Sequence, residues 1–175
     1  IFDERIRERI LRVAPETLFE GGDPSALPLV TRKVILADVC MELAAGISGR
    51  SALDYSAVQR FASPDLADDI RGLLKQYASD DEIVSFLVRM VWLGRIASLK
   101  DEVKTFAITS STSHYTRITA IRALRQVATN EDLDDLRQSF LEEASILQRD
   151  WLSEIVVASI PSIETATWLL ATLAK

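Results

Sequence analysis

Apolar residues recur along this chain at helical spacing, and the segment 115–127, YTRITAIRALRQV, shows the pattern in its simplest form. Ile118, Ile121, Leu124 and Val127 fall three apart, with Ala120 and Ala128 filling the gaps. Arg117, Arg122, Arg125 and Gln126 lie on the other side. This spacing predicts a one-sided helix. Subtracting 34 from each apolar position returns Val84, Leu87, Met90 and Leu93, and the same offset relates Leu99 to Leu133 and Phe106 to Phe140. A period of that size covers two helices. It marks a helical repeat, in which each hairpin buries its apolar stripe only against its neighbours, so the expected architecture is an α-solenoid.

The remaining elements follow from periodicity and punctuation. A first helix is expected over 2–14, with Phe2, Ile6, Ile10 and Val13 on one face, ending before Pro15. A loop over 21–25 leads to a long helix that starts near Pro28 and stops at Gly46; Val30, Val34, Ala37, Cys40 or Met41, and Ala44 form its predicted inner face. A connector over 46–62 holds one short helical pattern, 55–61, expected as an inserted feature on one rim. Ser63 and Pro64 open a helix with Leu66, Ile70, Leu73 and Leu74 inward. Ser79 and Glu82 form a predicted capping box for a helix over 80–93 that Gly94 closes. Further helices are predicted from Ser98 to about Ile108, over 115–127, over 130–143 with Leu133, Leu136, Phe140 and Leu141 inward, from Ser145 or Asp150 through Ile160, and from Ser162 to the end. The sum is eight or nine helices in antiparallel pairs, with no strand. They divide into an N-terminal part, 1–62, and regular repeats over 63–175, within one continuous domain.

Composition narrows the function classes. At 175 residues and 48% hydrophobic content the chain holds one domain-sized core. Its net charge of −6 argues against a phosphate-tracking surface except as a local patch, so nucleic acid is a disfavoured partner. The single cysteine, Cys40, excludes an internal disulfide and fits a reducing cytoplasm; within an apolar helical run it is expected to be buried and inert. No apolar run approaches the ~18 residues needed to span a bilayer, so no membrane association is expected. The chain starts at Ile1 in mid-pattern and reads as a piece of a longer protein.

Candidate chemistry is thin. The segment GISGRS at 46–51 approaches a phosphate loop but lacks the lysine and the preceding strand, and reads better as a helix stop and linker. One histidine, His114, and one cysteine rule out a zinc cluster. Ser110, Ser111 and Ser113 beside His114 read as helix caps rather than a hydrolytic triad. The acidic groups Asp65/Asp68/Asp69, Asp80/Asp81/Glu82 and Glu131/Asp132/Asp134/Asp135 each fall in a predicted first turn, where the helix dipole explains them. No catalytic, cofactor-binding or metal-binding residue is assigned, and the chain is read as a non-enzyme. The candidate interaction surface is a stripe of Arg89, Arg117, Arg122 and Arg125, suited to an acidic partner, against which stands a plain solvated face. Trp92, Trp151 and Trp168 lie close to apolar stripe positions and read as packing residues.

The two-helix unit over 98–127, with ITAIRALRQV in its second helix, resembles a HEAT-type repeat, and the likeness covers about 63–175. The resemblance implies a right-handed α-α superhelix of the HEAT/ARM kind. The segment ILRVAPETLFEGGDPSALPLVTRKVIL resembles the stretch that follows the nucleotide-binding module in large bacterial NACHT or STAND-type NTPases. That likeness implies a cytoplasmic scaffold or sensor region that recognises a protein partner or a neighbouring domain of the same chain, with the ATPase residues elsewhere. The alternative is a nucleic-acid-binding module like the HEAT-like DNA glycosylases, which requires Arg32, Lys33, Arg89, Arg117, Arg122 and Arg125 to share one face.

Overall fold

The computed structural model describes residues 5–6, 9–10, 23–46, 54–142, 148–159 and 161–174. Among the described residues every regular element is helical and no strand occurs. From Leu29 onward nine α-helices are described, in order: α1 (Leu29–Ala44), α2 (Tyr55–Phe61), α3 (Ala67–Gln76), α4 (Asp81–Gly94), α5 (Lys100–Ile108), α6 (His114–Val127), α7 (Asn130–Glu142), α8 (Arg149–Ala158) and α9 (Ile163–Leu173). Short 3-10 turns at Pro24–Ala26, Pro64–Leu66 and Ala97–Leu99 precede α1, α3 and α5. The helix expected over 2–14 lies largely outside the described residues, as does the phosphate-loop-like segment beyond Gly46; residues 5, 6, 9 and 10 are helical. Of these, Ile6 is exposed and Ile10 packs against the core.

Local chemistry sets the helix starts. The Asp54 carboxylate accepts from the amides of Ser56 (2.7 Å) and Ala57 (3.0 Å) to open α2, and Ser113 and Ser162 cap α6 and α9 through the amides of Thr116 and Thr165. At α7, Thr129 and Asp132 satisfy each other's backbone amides, a reciprocal capping box. Two expected boundaries shift by one residue. The cap of α4 is Asp80, whose carboxylate accepts from Ile83 N at 3.1 Å, and not Ser79. The left-handed position that ends α4 is Arg95 (φ 50°), while Gly94 is still helical. Gly94 serves close approach instead: a Cβ there would meet Ala62 Cβ at 2.9 Å and the Ala62 carbonyl carbon at 3.0 Å.

Packing follows a simple order. Helix α6 packs against both α4 and α8, and α2 packs against α4; in a second row α1 lies beside α3, α3 meets the 3-10 turn before α5, α5 packs on α7 and α7 on α9. Contacts of α3 with α4 and of α5 with α6 join the rows. Of the positions 34 apart, Leu87 and Ile121 are both fully buried, Met90 and Leu124 likewise, and Leu93 and Val127 both pack at the core margin, whereas Val84 and Leu99 are buried where Ile118 and Leu133 are half-buried, and Phe106 is half-buried where Phe140 is buried. Helix α2 buries Ala57, Val58 and Phe61, so it packs into the row and does not stand out on a rim.

The predicted inner face of α1 is corrected. Of the positions predicted inward, Val30, Val34 and Met41 are exposed and Cys40 is buried, together with Ile35, Leu36, Val39 and Leu43. This helix carries apolar stripes on two sides, so periodicity does not choose between them. The bulkier aliphatic stripe wins burial, and that rotation also turns Arg32 toward Asp65 in the 3-10 turn before α3 and Lys33 toward Asp69 of α3. Burial pushes the Cys40 thiol up to about 12, helped by the charge of Asp80.

Candidate functional site

The row α2, α4, α6, α8 presents a strip of arginine and aromatic side chains. Tyr55 opens α2 and stays half exposed; its ring meets the Trp92 ring edge-on, centroids 5.8 Å apart at 86°. The Arg89 guanidinium lies 4.6 Å over the Tyr55 ring, and that of Arg122 lies 5.7 Å from the Trp92 ring. From α8, Glu154 closes the strip: its Oε1 accepts from Arg122 Nε (2.8 Å) and Nη2 (2.5 Å), and its Oε2 accepts from Arg125 Nη1 at 3.3 Å. The Glu154 hydrogen bond holds Arg122 above the usual arginine value, against the opposing effect of burial. Tyr55, Arg89, Arg122 and Glu154 are separated by 34, 33 and 32 residues, one side chain from each of α2, α4, α6 and α8.

Three of the four predicted arginines lie along this strip, Arg122 and Arg125 on Glu154 and Arg89 on Tyr55, and one does not. Arg117 is 1% exposed: its guanidinium donates to the Thr109 carbonyl and lies 4.2 Å over the Trp151 ring of α8. Its placement on the outer side of α6 is corrected, because α8 covers that side and the aromatic ring shields the charge. Tyr55, Trp92 and Glu154 were not singled out as partners of the arginines. Applying the repeat offset to Arg89 returns Tyr55, whereas Glu154 lies 32 residues beyond Arg122 and is not reached by it.

The other row is tied by ion pairs at comparable separations. Arg32 pairs with Asp65 and donates to Ser63 Oγ at 2.6 Å; Lys33 pairs with Asp69 (2.9 Å), Arg71 with Glu102 (2.5 Å), Lys100 with Asp132 (2.8 Å) and Lys104 with Asp135 (3.0 Å). At the end of the row Trp168 Nε1 donates to the Arg137 carbonyl at 2.7 Å. The Lys100 ammonium and the Thr129 cap hold Asp132 well below the usual carboxylate range. The first-turn acids thus do more than complement a dipole: several bind the preceding helix of their own row. Arg32 and Lys33 face this row and Arg117 is buried, so the six cations named for nucleic-acid binding do not share one face.

A cleft of about 380 Å³ opens between the starts of α4 and α6 and the end of α5, lined by hydroxyls of Ser79, Thr105, Thr109 and Thr116 and by Asp81. Thr116 donates to Asp81 at 2.8 Å, so that carboxylate links α4 to α6. Ser113 is occupied as a cap, and His114 Nε2 faces Asp150 at 3.5 Å with its ring beside Trp151. Among the described residues no group of three His, Cys, Asp or Glu comes together, and no helix is long and apolar enough to cross a membrane. Set against known proteins, the chain matches no family model, no curated protein and no solved structure.

Proposed function

We propose that this chain is a non-catalytic helical-repeat scaffold of the HEAT type, wound as a right-handed superhelix, that recognises a protein partner or a neighbouring domain. In the setting its sequence resembles, it couples that recognition to a bacterial cytoplasmic NTPase module encoded outside these residues. The observation that carries the reading is the strip of Tyr55, Arg89, Arg122 and Glu154: successive helices of one row contribute side chains 34, 33 and 32 residues apart, with Arg89 over Tyr55 and Arg122 bound to Glu154. Such a row offers a continuous surface, and aromatic and arginine side chains are the types that anchor protein interfaces. The division of the basic residues between the two rows and the interior supports protein over nucleic acid.

Nucleotide assays on this chain test the non-catalytic part. The expected result is no ATP turnover and no saturable ATP binding; either one overturns it. The stacked architecture is tested by the distance between spin labels placed on α1 and α9, expected to be long and single-valued, whereas a short distance contradicts an extended stack.

A further inference from the structure

The cleft between the starts of α4 and α6 and the end of α5 is lined by oxygen, and its hydrogen bonds show which ligands that oxygen is free to meet. A threonine hydroxyl has one proton to give. Thr105 donates it to the Asp101 carbonyl at 3.0 Å, Thr109 to the Thr105 carbonyl at 2.7 Å and Thr116 to Asp81 at 2.8 Å. What these three still offer is lone pairs, while Ser79, Ser111 and Thr112 can turn either way. Asp81 only accepts, and it pairs with no cation among the described residues, unlike Asp65, Asp69, Asp132 and Asp135. No lysine, arginine or histidine is among the described residues that line the cleft. The amides at the two helix starts are spent as well: those of Ile83 and Val84 donate to Asp80, and those of Thr116 and Arg117 donate to Ser113. The last turn of α5 supplies Thr105 and Phe106 to the lining, and that end of a helix favours positive charge. Arg117 opposes it from below, but its guanidinium lies over the Trp151 ring of α8. With donors spent and acceptors left over, an anion finds little to hold here, and a cation bearing N–H groups finds much.

We propose that this cleft binds an aliphatic ammonium group, with the charge held by Asp81 and the threonine oxygens and the methylene stem laid on Val84 and Phe106. Ammonium suits it better than guanidinium. Thr116 already occupies Oδ1 of Asp81, so the two oxygens that a planar fork engages are not both free, whereas a compact head with three donors can be met by scattered acceptors. A lysine side chain of a partner protein carries this group, a source that rests on the protein-recognition reading; a free diamine carries it too.

The test follows amide shifts of the isotope-labelled chain by NMR at low salt. The probes are lysine capped at both backbone ends, the same molecule acetylated on Nε, capped arginine, diaminobutane and inorganic phosphate. Capped lysine is expected to move the amides at the start of α4 and the end of α5, to bind severalfold tighter than capped arginine, and to lose about tenfold in affinity with Asp81→Asn, which keeps an oxygen for Thr116. Acetylation on Nε should abolish the shifts. Equal binding of the acetylated molecule, unchanged affinity in Asp81→Asn, or displacement of lysine by phosphate overturns the proposal. Tighter binding of arginine overturns the choice of ammonium. Should Asp81→Asn fail to fold, Thr105→Val at an exposed position retains the test, with a severalfold loss expected and no change contradicting it. Diaminobutane binding more tightly than capped lysine keeps the ammonium assignment and overturns the protein source. If no amine moves these amides, the assignment of the cleft fails, while the protein-recognition reading, which rests on the strip of α2, α4, α6 and α8, stands.

Discussion

Helices α4 and α9 are both rich in apolar residues, yet they dispose of them differently. Helix α4 buries Ile83, Val84, Phe86, Leu87, Val88, Met90 and Val91, whereas α9 buries only Trp168 and Thr172 and leaves Ile163, Leu170 and Leu173 at 76%, 70% and 64% exposure. Composition does not separate them; neighbours do. Helix α4 touches α1, α2, α3 and α6, while the principal contact of α9 is with α7. Where each unit packs only on the units beside it, stability is supplied by interfaces, and an element with fewer interfaces holds less of it.

The contrast breaks most sharply at the centre. Leu87→Ala or Ile121→Ala removes a fully buried side chain at equivalent positions of α4 and α6, and each is expected to cost about 2–5 kcal/mol by denaturant unfolding. Similar losses at the two sites support their equivalence, and a near-neutral result at either contradicts it. Gly94→Val comes next. Its side chain drives into the Ala62 backbone, so destabilisation of about 1–3 kcal/mol is expected, with Gly94→Ala milder because better helix propensity offsets part of the clash.

Acid should act on the ion pairs that tie the row of α1, α3, α5 and α7. Asp132 has a folded pKa below its unfolded value, so its contribution is present above the unfolded pKa, roughly 4, and is lost as pH falls toward the folded one. Asp65, lowered chiefly by the Ser63 hydroxyl and then by Arg32, has the same sign. Asp38, raised by burial, has the opposite sign: its ionisation opposes folding as pH rises. Asp132→Asn should therefore flatten the fall in melting temperature below about pH 4, and an unchanged slope contradicts this role. The smallest effect is expected at the end of the chain, where Leu170→Ser should stay within about 0.5 kcal/mol because the side chain is already in water. Cys40 supplies a label for the other end: in α1 its buried thiol should react with a thiol reagent only when the protein opens, and rapid native labelling would refute that placement.

The helices were readable because 3.6-residue periodicity and cap residues are local, and the offset of 34 picks out some pairs with like burial, such as Leu87 and Ile121, and others with unlike burial, such as Leu99 and Leu133. Other features depend on which neighbour arrives. The buried side of α1 is decided by α3 and α4, since the helix is apolar on two sides. Arg117 looked like a solvent residue because a guanidinium on an outer stripe usually is; Trp151, 34 residues on, reverses that. The cap of α4 fell on Asp80 because two adjacent residues are both able to cap, and spacing alone does not rank them. Of the strip, the arginines were visible in the sequence, but Tyr55, Trp92 and Glu154 gained meaning only when the row set them side by side.

Native-state hydrogen exchange tests the nearest-neighbour stack most directly. The account predicts a graded profile, with amides of α4 and α6 exchanging only through global unfolding and those of α9 through cheaper local opening. Uniform protection from α4 to α9, or α9 outlasting α6, would contradict it.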